Sequence, residues 1–345
     1  MFTFEPEIPM SDEEFRLIRD LIYSHCGLYF DNDSAYLLEK RLAKRVQLHQ
    51  LPGFRDYYHF LRYNRKKDQE LSDIMDVLTT NETYFFREAF QLKAFTQEII
   101  PEIRDAKAKA GDRTLRIWSA GCSSGEEPYT IAMLLLEMGG FAGWHVEIIG
   151  TDISQRVIQQ ARKGVYGKSS FRVTDEGYVR RYFTDQDGMF RVNDRVRELV
   201  TISHLNLLDT NRIALLGRMD VIFCRNVIIY FDQAARKTVI DSFHRVLRDG
   251  GYLLLGHSES LMNISTAFSL KHLKNDMVYQ KPLPPGAGHE KDQGRGHRRF
   301  GLQPPRHHQD AGEHARGGCD RVCRRRRGGD PQDHRPETGP GDPGS

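Results

Sequence analysis

The sequence predicts an α/β protein: a parallel sheet with crossover helices that carries a small antiparallel insert and is preceded by an all-α domain. Three observations lead there. Amphipathic helical patterns fill residues 11–78, and from residue 115 short apolar strands alternate with helices. Residues 115–130 read L-R-I-W-S-A-G-C-S-S-G-E-E-P-Y-T, a strand running through a glycine turn into a helix start. The expected organisation is a helical domain over residues 1–78, a linker and connecting helix over 79–112, an α/β domain over 113–282 with its insert at about 171–203, and a tail over 283–345.

Composition narrows the function classes. A chain of 345 residues can bury a substantial core and hold two domains. It opens on no signal peptide, and no apolar run approaches the roughly 20 residues of a membrane span, so no membrane insertion is expected. Five scattered cysteines make no disulfide framework and predict a reducing cytoplasm. The formal charge is +3, but the tail holds about 12 Lys and Arg against about 9 Asp and Glu, which leaves the remainder near neutral. A broad basic surface for nucleic acid is therefore not expected.

The helical part begins at Ser11-Asp12-Glu13-Glu14, a capping pattern followed by Phe15, Ile18, Leu21 and Ile22 at helical spacing. Over 35–48, Leu38, Leu42 and Val46 share one face, with Lys40, Arg41, Lys44 and Arg45 on the other. That basic face is either a solvated surface or a dock for an acidic protein helix. Pro52-Gly53 turns the chain, and 54–62 and 69–78 supply two more helical patterns. Residues 79–87, T-T-N-E-T-Y-F-F-R, join a polar cluster to aromatics, which a plain loop does not need; the alternative is that Thr80 or Asn81 caps a helix over 89–103.

In the glycine turn, small residues from Gly121 to Gly125 let the backbone turn sharply and a ligand come close. Only Gly121 and Gly125 are glycines, so the pattern is not G-x-G-x-x-G, and no Lys-Ser or Lys-Thr follows to make a P-loop. The helix opens on Glu126 and Glu127, with Pro128 in its first turn and Ile131, Met133, Leu134 and Leu135 behind. Two carboxylates stand where a pyrophosphate would sit, so a cationic ligand without phosphates fits better, and S-adenosylmethionine is such a ligand. The competing reading is that the paired glutamates only complement the helix dipole.

A second strand over 145–150 leads into Thr151-Asp152-Ile153-Ser154, about thirty positions past the turn, where an acidic residue can accept both ribose hydroxyls. Alternatively Asp152 or Ser154 caps the helix over 155–163. Residues 171–203 break the alternation with turn signals at Asp187-Gly188 and Asn193-Asp194 and β-like runs at 189–192 and 199–202, read as the antiparallel insert. Asn206-Leu207-Leu208-Asp209 follows. A strand over 219–224 ends in Arg225-Asn226 and the pair Tyr230-Phe231, then come a helix over 233–247, the turn Asp249-Gly250-Gly251, a strand over 252–256 and a last strand near residue 280. Gly256-His257-Ser258-Glu259-Ser260 lacks the second glycine of a nucleophile elbow.

Taken together, residues 79–87, 118–129, 150–154 and 223–231 closely resemble the CheR family, the chemotaxis receptor glutamate methyltransferases, in order and spacing from about residue 11 to 282. The resemblance implies a helical N-terminal domain, a Rossmann-like S-adenosylmethionine-dependent methyltransferase domain and a three-stranded β-subdomain. It implies methyl transfer to glutamates of methyl-accepting chemotaxis receptors for sensory adaptation, in the cytoplasm at membrane receptor arrays, with S-adenosylhomocysteine as product. Carried onto this sequence, Asn81, Thr83 and Arg87 match cofactor contacts. So do Gly121, Asp152 on the ribose, Asn206 and Leu207 near the adenine, Arg225 and Asn226; of the glutamate pair, Glu127 is favoured over Glu126. Tyr230 matches the aromatic beside the transferred methyl, and Arg87 and Tyr230 are the expected positioning groups. The resemblance turns the basic helix, with Lys40, Arg41, Lys44 and Arg45, toward the receptor's methylation helix. Some family members also grip a receptor C-terminal peptide by strand addition, and the hairpin at Asp187-Gly188 does not say which kind this is. The alternative of a different class is a catalytically weak, cofactor-binding module that docks receptors.

Residues 283–345 are rich in Gly, Pro, Arg and His and cannot form a core. Cys319 and Cys323 fit no zinc template, so no metal is expected. Codons compatible with residues 289–306, read one base forward, permit M-K-K-I-R-V-V-V-I-D-D-S-A-F-N-R-R-A, which resembles the start of a response-regulator receiver domain. The tail is accordingly expected to be out-of-frame translation into a neighbouring gene, such as a receiver-linked methylesterase that removes the same methyl groups.

Overall fold

The computed structural model describes residues 8–284. The expectations for an out-of-frame tail and for Cys319 and Cys323 fall, from residue 285 on, outside the described residues. Among the described residues no helix is long and apolar enough to cross a membrane.

The helical part contains α1 (Asp12–Cys26), α2 (Ala35–Leu48), α3 (Phe54–Tyr63) and α4 (Lys67–Leu78). Ser11 and Glu14 close the reciprocal capping box expected for α1, and Gly27 ends that helix in the left-handed conformation, φ 75°. Ile18, Ile22, Leu38, Leu42, Val46, Phe54 and Ile74 are fully buried between the four helices. Glu70 is buried with them and accepts hydrogen bonds from Arg45 Nε (2.9 Å), the Tyr57 hydroxyl and His49. This corrects the expectation of a four-residue basic face on α2. Lys40 and Lys44 are exposed, but Arg41 donates to the Leu78 carbonyl, and Arg45 is turned inward onto Glu70 and Asp73. A long cationic side chain at the margin of a helix face reaches a buried carboxylate across it.

Residues 80–84 are free of helix and strand, and neither Thr80 nor Asn81 caps the next helix. That helix, α5 (Ala89–Ala94), starts after Glu88, at φ 60° and with no side-chain cap, and runs through a π turn (Phe95–Ile99) into α6 (Ile100–Lys109). The capping alternative for 79–87 is thereby overturned.

The α/β part runs β1 (Thr114–Ala120), α7 (Glu126–Met138), β2 (His145–Asp152), α8 (Gln155–Lys163), β3 (Val165–Tyr166), α9 (Glu176–Tyr182), β4 (Phe183–Gln186) and β5 (Met189–Val192). It continues with α10 (Asp194–Arg197), β6 (Val200–His204), α11 (Thr210–Leu215), β7 (Met219–Cys224), α12 (Gln233–Val246), β8 (Leu247–Leu255), β9 (Ser269–His272) and β10 (Met277–Gln280). The main sheet has the order β6-β2-β1-β7-β8-β10-β9, parallel from β6 to β8, with β10 and β9 antiparallel. The chain moves outward from β1 through β2 to β6, then returns to β7 on the other side of β1. Strand order therefore reverses between β1 and β7, and the crevice at their C-terminal ends is where such sheets bind ligands.

The insert differs from the expectation. It is the three-stranded sheet β3-β5-β4, which begins before residue 171, whereas residues 200–204 pair in parallel with β2 in the main sheet. A short run such as 199–202 looks the same in sequence whether it joins an antiparallel insert or the edge of a parallel sheet. One apolar core joins Ile22, Leu38 and Leu42 of the helices to Trp118, Leu207 and Phe243 of the α/β part, so the helices lie directly on the end of the sheet.

Candidate functional site

A single cleft at the β1/β7 crevice brings together Asn81, Thr83, Arg87, Gly121, Glu127, Asp152, Asn206, Leu207, Arg225, Asn226 and Tyr230. Every cofactor and positioning residue expected from the sequence is among its walls. Lys40, Arg41, Lys44 and Arg45 are not.

The floor is the turn after β1. Gly121 has φ 78°, and its N–H and that of Cys122 both donate to the Thr151 carbonyl at 2.8 Å. A Cβ at Gly121 would stand 2.4 Å from Val227 Cγ2, so only glycine leaves the cleft wall in place. At the end of β2, Asp152 accepts from the Ser123 N–H at 2.8 Å and the Ser154 N–H at 2.9 Å. Burial pushes the Asp152 carboxyl above its ordinary range, against the pull of those two backbone donors and of the Ile153 N–H. Ser154, not Asp152, caps α8 through the Val157 N–H, which leaves Asp152 facing the cleft.

The glutamate pair diverges because successive helical residues point about 100° apart. Glu126 is turned away, 2% exposed, and bonded by Ser124 Oγ (2.7 Å) and Ser170 Oγ (3.1 Å). Burial raises its carboxyl, and the two hydroxyls only partly oppose this. Glu127 faces the cleft and accepts from Ser119 Oγ and Arg225 Nε, both at 2.6 Å. Arg225 also donates to the Arg87 carbonyl at 2.8 Å, so one buried guanidinium ties the end of β7 to the start of α7 and to the segment before α5.

That segment is anchored by Phe85, fully buried against Tyr166, Phe171 and Phe183. Its fixed position brings Thr83 and Arg87 into the cleft wall; Arg87 donates to the Glu82 carbonyl at 3.2 Å and lies over the Tyr84 ring. Asn81 is held by Thr79 and accepts from Ser123 Oγ through its carbonyl. Asn226 has φ 58°, and its Oδ1 is a buried acceptor without a partner among the described residues. Tyr230, 37% exposed, stands at the mouth.

Sequence reasoning missed the contribution of the helical part. Cys26 and Leu28 line the cleft just past α1. Leu28 bridges Phe231, the Tyr29 N–H donates to the Tyr230 carbonyl at 3.0 Å, and Asn206 Nδ2 donates to the His25 carbonyl at 2.6 Å. No local signal marks Cys26 or Leu28, whereas Ser123 is part of G-C-S-S-G and was accessible to a reading of that turn as a set of backbone donors.

Among the described residues, Glu82, Glu127 and Asp152 line the cleft and no lysine does. Glu82 pairs with Arg172, and Arg225 is neutralised by Glu127 and Glu88. Outside those pairs, among the described residues, the cleft presents the Asp152 carboxylate, the unpartnered Asn226 Oδ1 and the Arg87 guanidinium, which suits a phosphate-free ligand with hydroxyls to satisfy.

Comparison with known proteins points the same way. Residues 13–79 match the all-alpha domain of CheR methyltransferases, and residues 81–277 match their SAM-binding domain. The chain is 38% identical over 291 residues to chemotaxis protein methyltransferase 2 of Vibrio cholerae serotype O1, covering 84% of this chain and 99% of the relative. It is 36% identical to the chemotaxis protein methyltransferase of Borreliella burgdorferi (72% of this chain, 88% of the relative) and 33% identical to that of Salmonella typhimurium (76% and 89%). Family matches that run almost unbroken from the first helix to the last strand, with relatives aligned along most of their own length, settle what the cleft alone left general: the chain belongs to the CheR methyltransferase family and is an S-adenosylmethionine-dependent methyltransferase.

Proposed function

We propose that the chain methylates glutamate side chains of methyl-accepting chemotaxis receptors, giving glutamyl methyl esters and S-adenosylhomocysteine. The observation that carries this reading is the convergence of Asn81, Arg87, Glu127, Asp152 and Tyr230, from four separate stretches of sequence, on one cleft beside the helical part.

The residues fit the cofactor. We assign Asp152 to the ribose hydroxyls, Glu127 to the cationic end, and Asn206 and Leu207 to the adenine, supported by their common position in the cleft lining with Arg87 and Asn81. When bound, S-adenosylmethionine supplies an activated methyl group on a sulfonium. A receptor glutamate is already ionised at neutral pH, so no residue need remove a proton. What the protein contributes is alignment and exclusion of water. We assign Tyr230, at the mouth, and Arg87, in the wall, to orienting the incoming carboxylate; both line the cleft. Lys40 and Lys44, exposed on α2, offer the acidic receptor helix an electrostatic approach.

The test is transfer of labelled methyl to receptor-containing membranes, with release of the label by alkali marking an ester. Cofactor binding without alkali-labile label would instead establish the docking module. We further propose that a receiver-linked methylesterase is the opposing enzyme and that residues 283–345 run out of frame into its gene. The nucleotide sequence decides this, and deleting those residues is expected to leave methylation unchanged.

A further inference from the structure

The cleft wall from Arg225 to Phe231 is neither helix nor strand apart from a single 3-10 turn at Ile228–Tyr230, so its backbone polar groups need partners from elsewhere. They find two charged side chains. Glu259 Oε2 accepts from the N–H of Asn226 at 2.7 Å and of Gly256 at 2.8 Å, and its Oε1 accepts from the N–H of Val227 at 2.8 Å and of Ile229 at 3.3 Å. On the carbonyl side, Arg236 Nε donates to Ile228 at 2.8 Å, and its Nη2 lies 3.4 Å from the Ile229 carbonyl. Only the Gly256 bond of Glu259 is local; its other three reach back 30 to 33 residues.

Gly256-His257-Ser258-Glu259, which is no nucleophile elbow, thus has a different use. A Cβ at Gly256 would meet the Asn226 N and Nδ2 at 2.9 Å, so glycine lets the turn after β8 approach close enough for Glu259 to reach the loop. We propose that Glu259 is a positioning residue for methyl transfer: by gathering the amides of Asn226, Val227 and Ile229 it holds the wall that carries Tyr230 in its working conformation. The inference rests on the reading that Tyr230 faces the transferred methyl. A carboxylate is required, because four donors surround two oxygens; an amide offers one acceptor and turns an NH2 toward the remaining N–H groups.

The experiment compares the full-length protein with Glu259→Gln and Glu259→Ala at saturating cofactor and receptor. Both variants are expected to lose kcat by at least about tenfold, equal to roughly 1.4 kcal/mol of barrier. Amide hydrogen exchange at 226, 227 and 229 is expected to accelerate. In Glu259→Ala, formate diffusing into the vacated site is expected to restore part of kcat and slow that exchange, while chloride at equal ionic strength does neither; a residue needed only for folding would show no such rescue. A Glu259→Gln rate within about twofold of wild type overturns the proposal, as does a loss with unchanged exchange, or a folded Glu259→Ala that formate does not rescue. If Glu259→Ala does not fold, Glu259→Gln decides by rate and exchange. Should the wild-type protein make no methyl ester, the receptor reading fails, and the exchange measurement still shows whether Glu259 holds the loop.

Discussion

Glu70 in the helical part and Asp152 in the cleft are both buried carboxylates, yet their surroundings answer them differently. Burial alone would push Glu70 up, but hydrogen bonds from Arg45, Tyr57 and His49 outweigh it and hold the carboxyl below its ordinary value of 4.5. Asp152 meets the backbone N–H groups of Ser154, Ser123 and Ile153 and, among the described residues, no cationic partner in contact, and burial leaves its carboxyl raised above 3.8. One charge is closed on the protein itself. The other is left in want of donors, and a ligand with hydroxyl groups gains by supplying them.

Four variants sharpen or break that contrast. Glu70→Ala leaves Arg45 facing an emptied site and should lower stability by about 3–5 kcal/mol; chemical denaturation measures this, with cofactor affinity of the folded fraction unchanged. Arg87→Ala should reduce ester formation by about 10²–10³ with the unfolding midpoint preserved, and full activity would discard its role. For Asp152→Ala, loss of two charge-assisted bonds should weaken cofactor binding by about 10–100-fold with little change in folding; calorimetry that finds equal affinity refutes the ribose assignment. The double variant Lys40→Ala/Lys44→Ala should lower the apparent receptor affinity only a few-fold, about 1 kcal/mol, and wild type and variant should converge as salt is raised.

The same contrast fixes the sign of the acid response. The Glu70 carboxyl is lowered, so its stabilisation is complete above the unfolded value near 4.5 and is lost as pH falls through the folded value. Asp152 and Glu126 are raised, so their ionised forms cost stability at neutral pH, and that cost disappears as pH falls toward and below their folded values. Glu70→Gln should therefore show a shallower loss of stability than wild type below about pH 4.5 in pH-dependent denaturation.

Much of the cleft was legible in the sequence because its parts are local. A strand, a glycine turn and a helix start fix where Gly121 and Glu127 stand, and a strand end fixes Asp152. What was illegible depended on contacts across the chain. Whether Glu126 or Glu127 faces the cleft turns on the rotation of α7 against Ser170, forty-four residues away. The inward turn of Arg45 depends on a carboxylate from another helix, and the pairing of residues 200–204 with β2 on which sheet edge was free.

The seam from Tyr23 to Tyr29 has a bearing on modularity. Tyr23 bonds Asp232, His25 takes the Asn206 amide, and Leu28 and Tyr29 bridge the Tyr230 loop. A chimera cut at residue 79 to exchange docking specificity would replace half of this seam and part of the cofactor wall with it. A graft of the α2 surface alone, with 23–29 kept native, transfers Lys40 and Lys44, the residues proposed to meet the receptor, without disturbing the cleft.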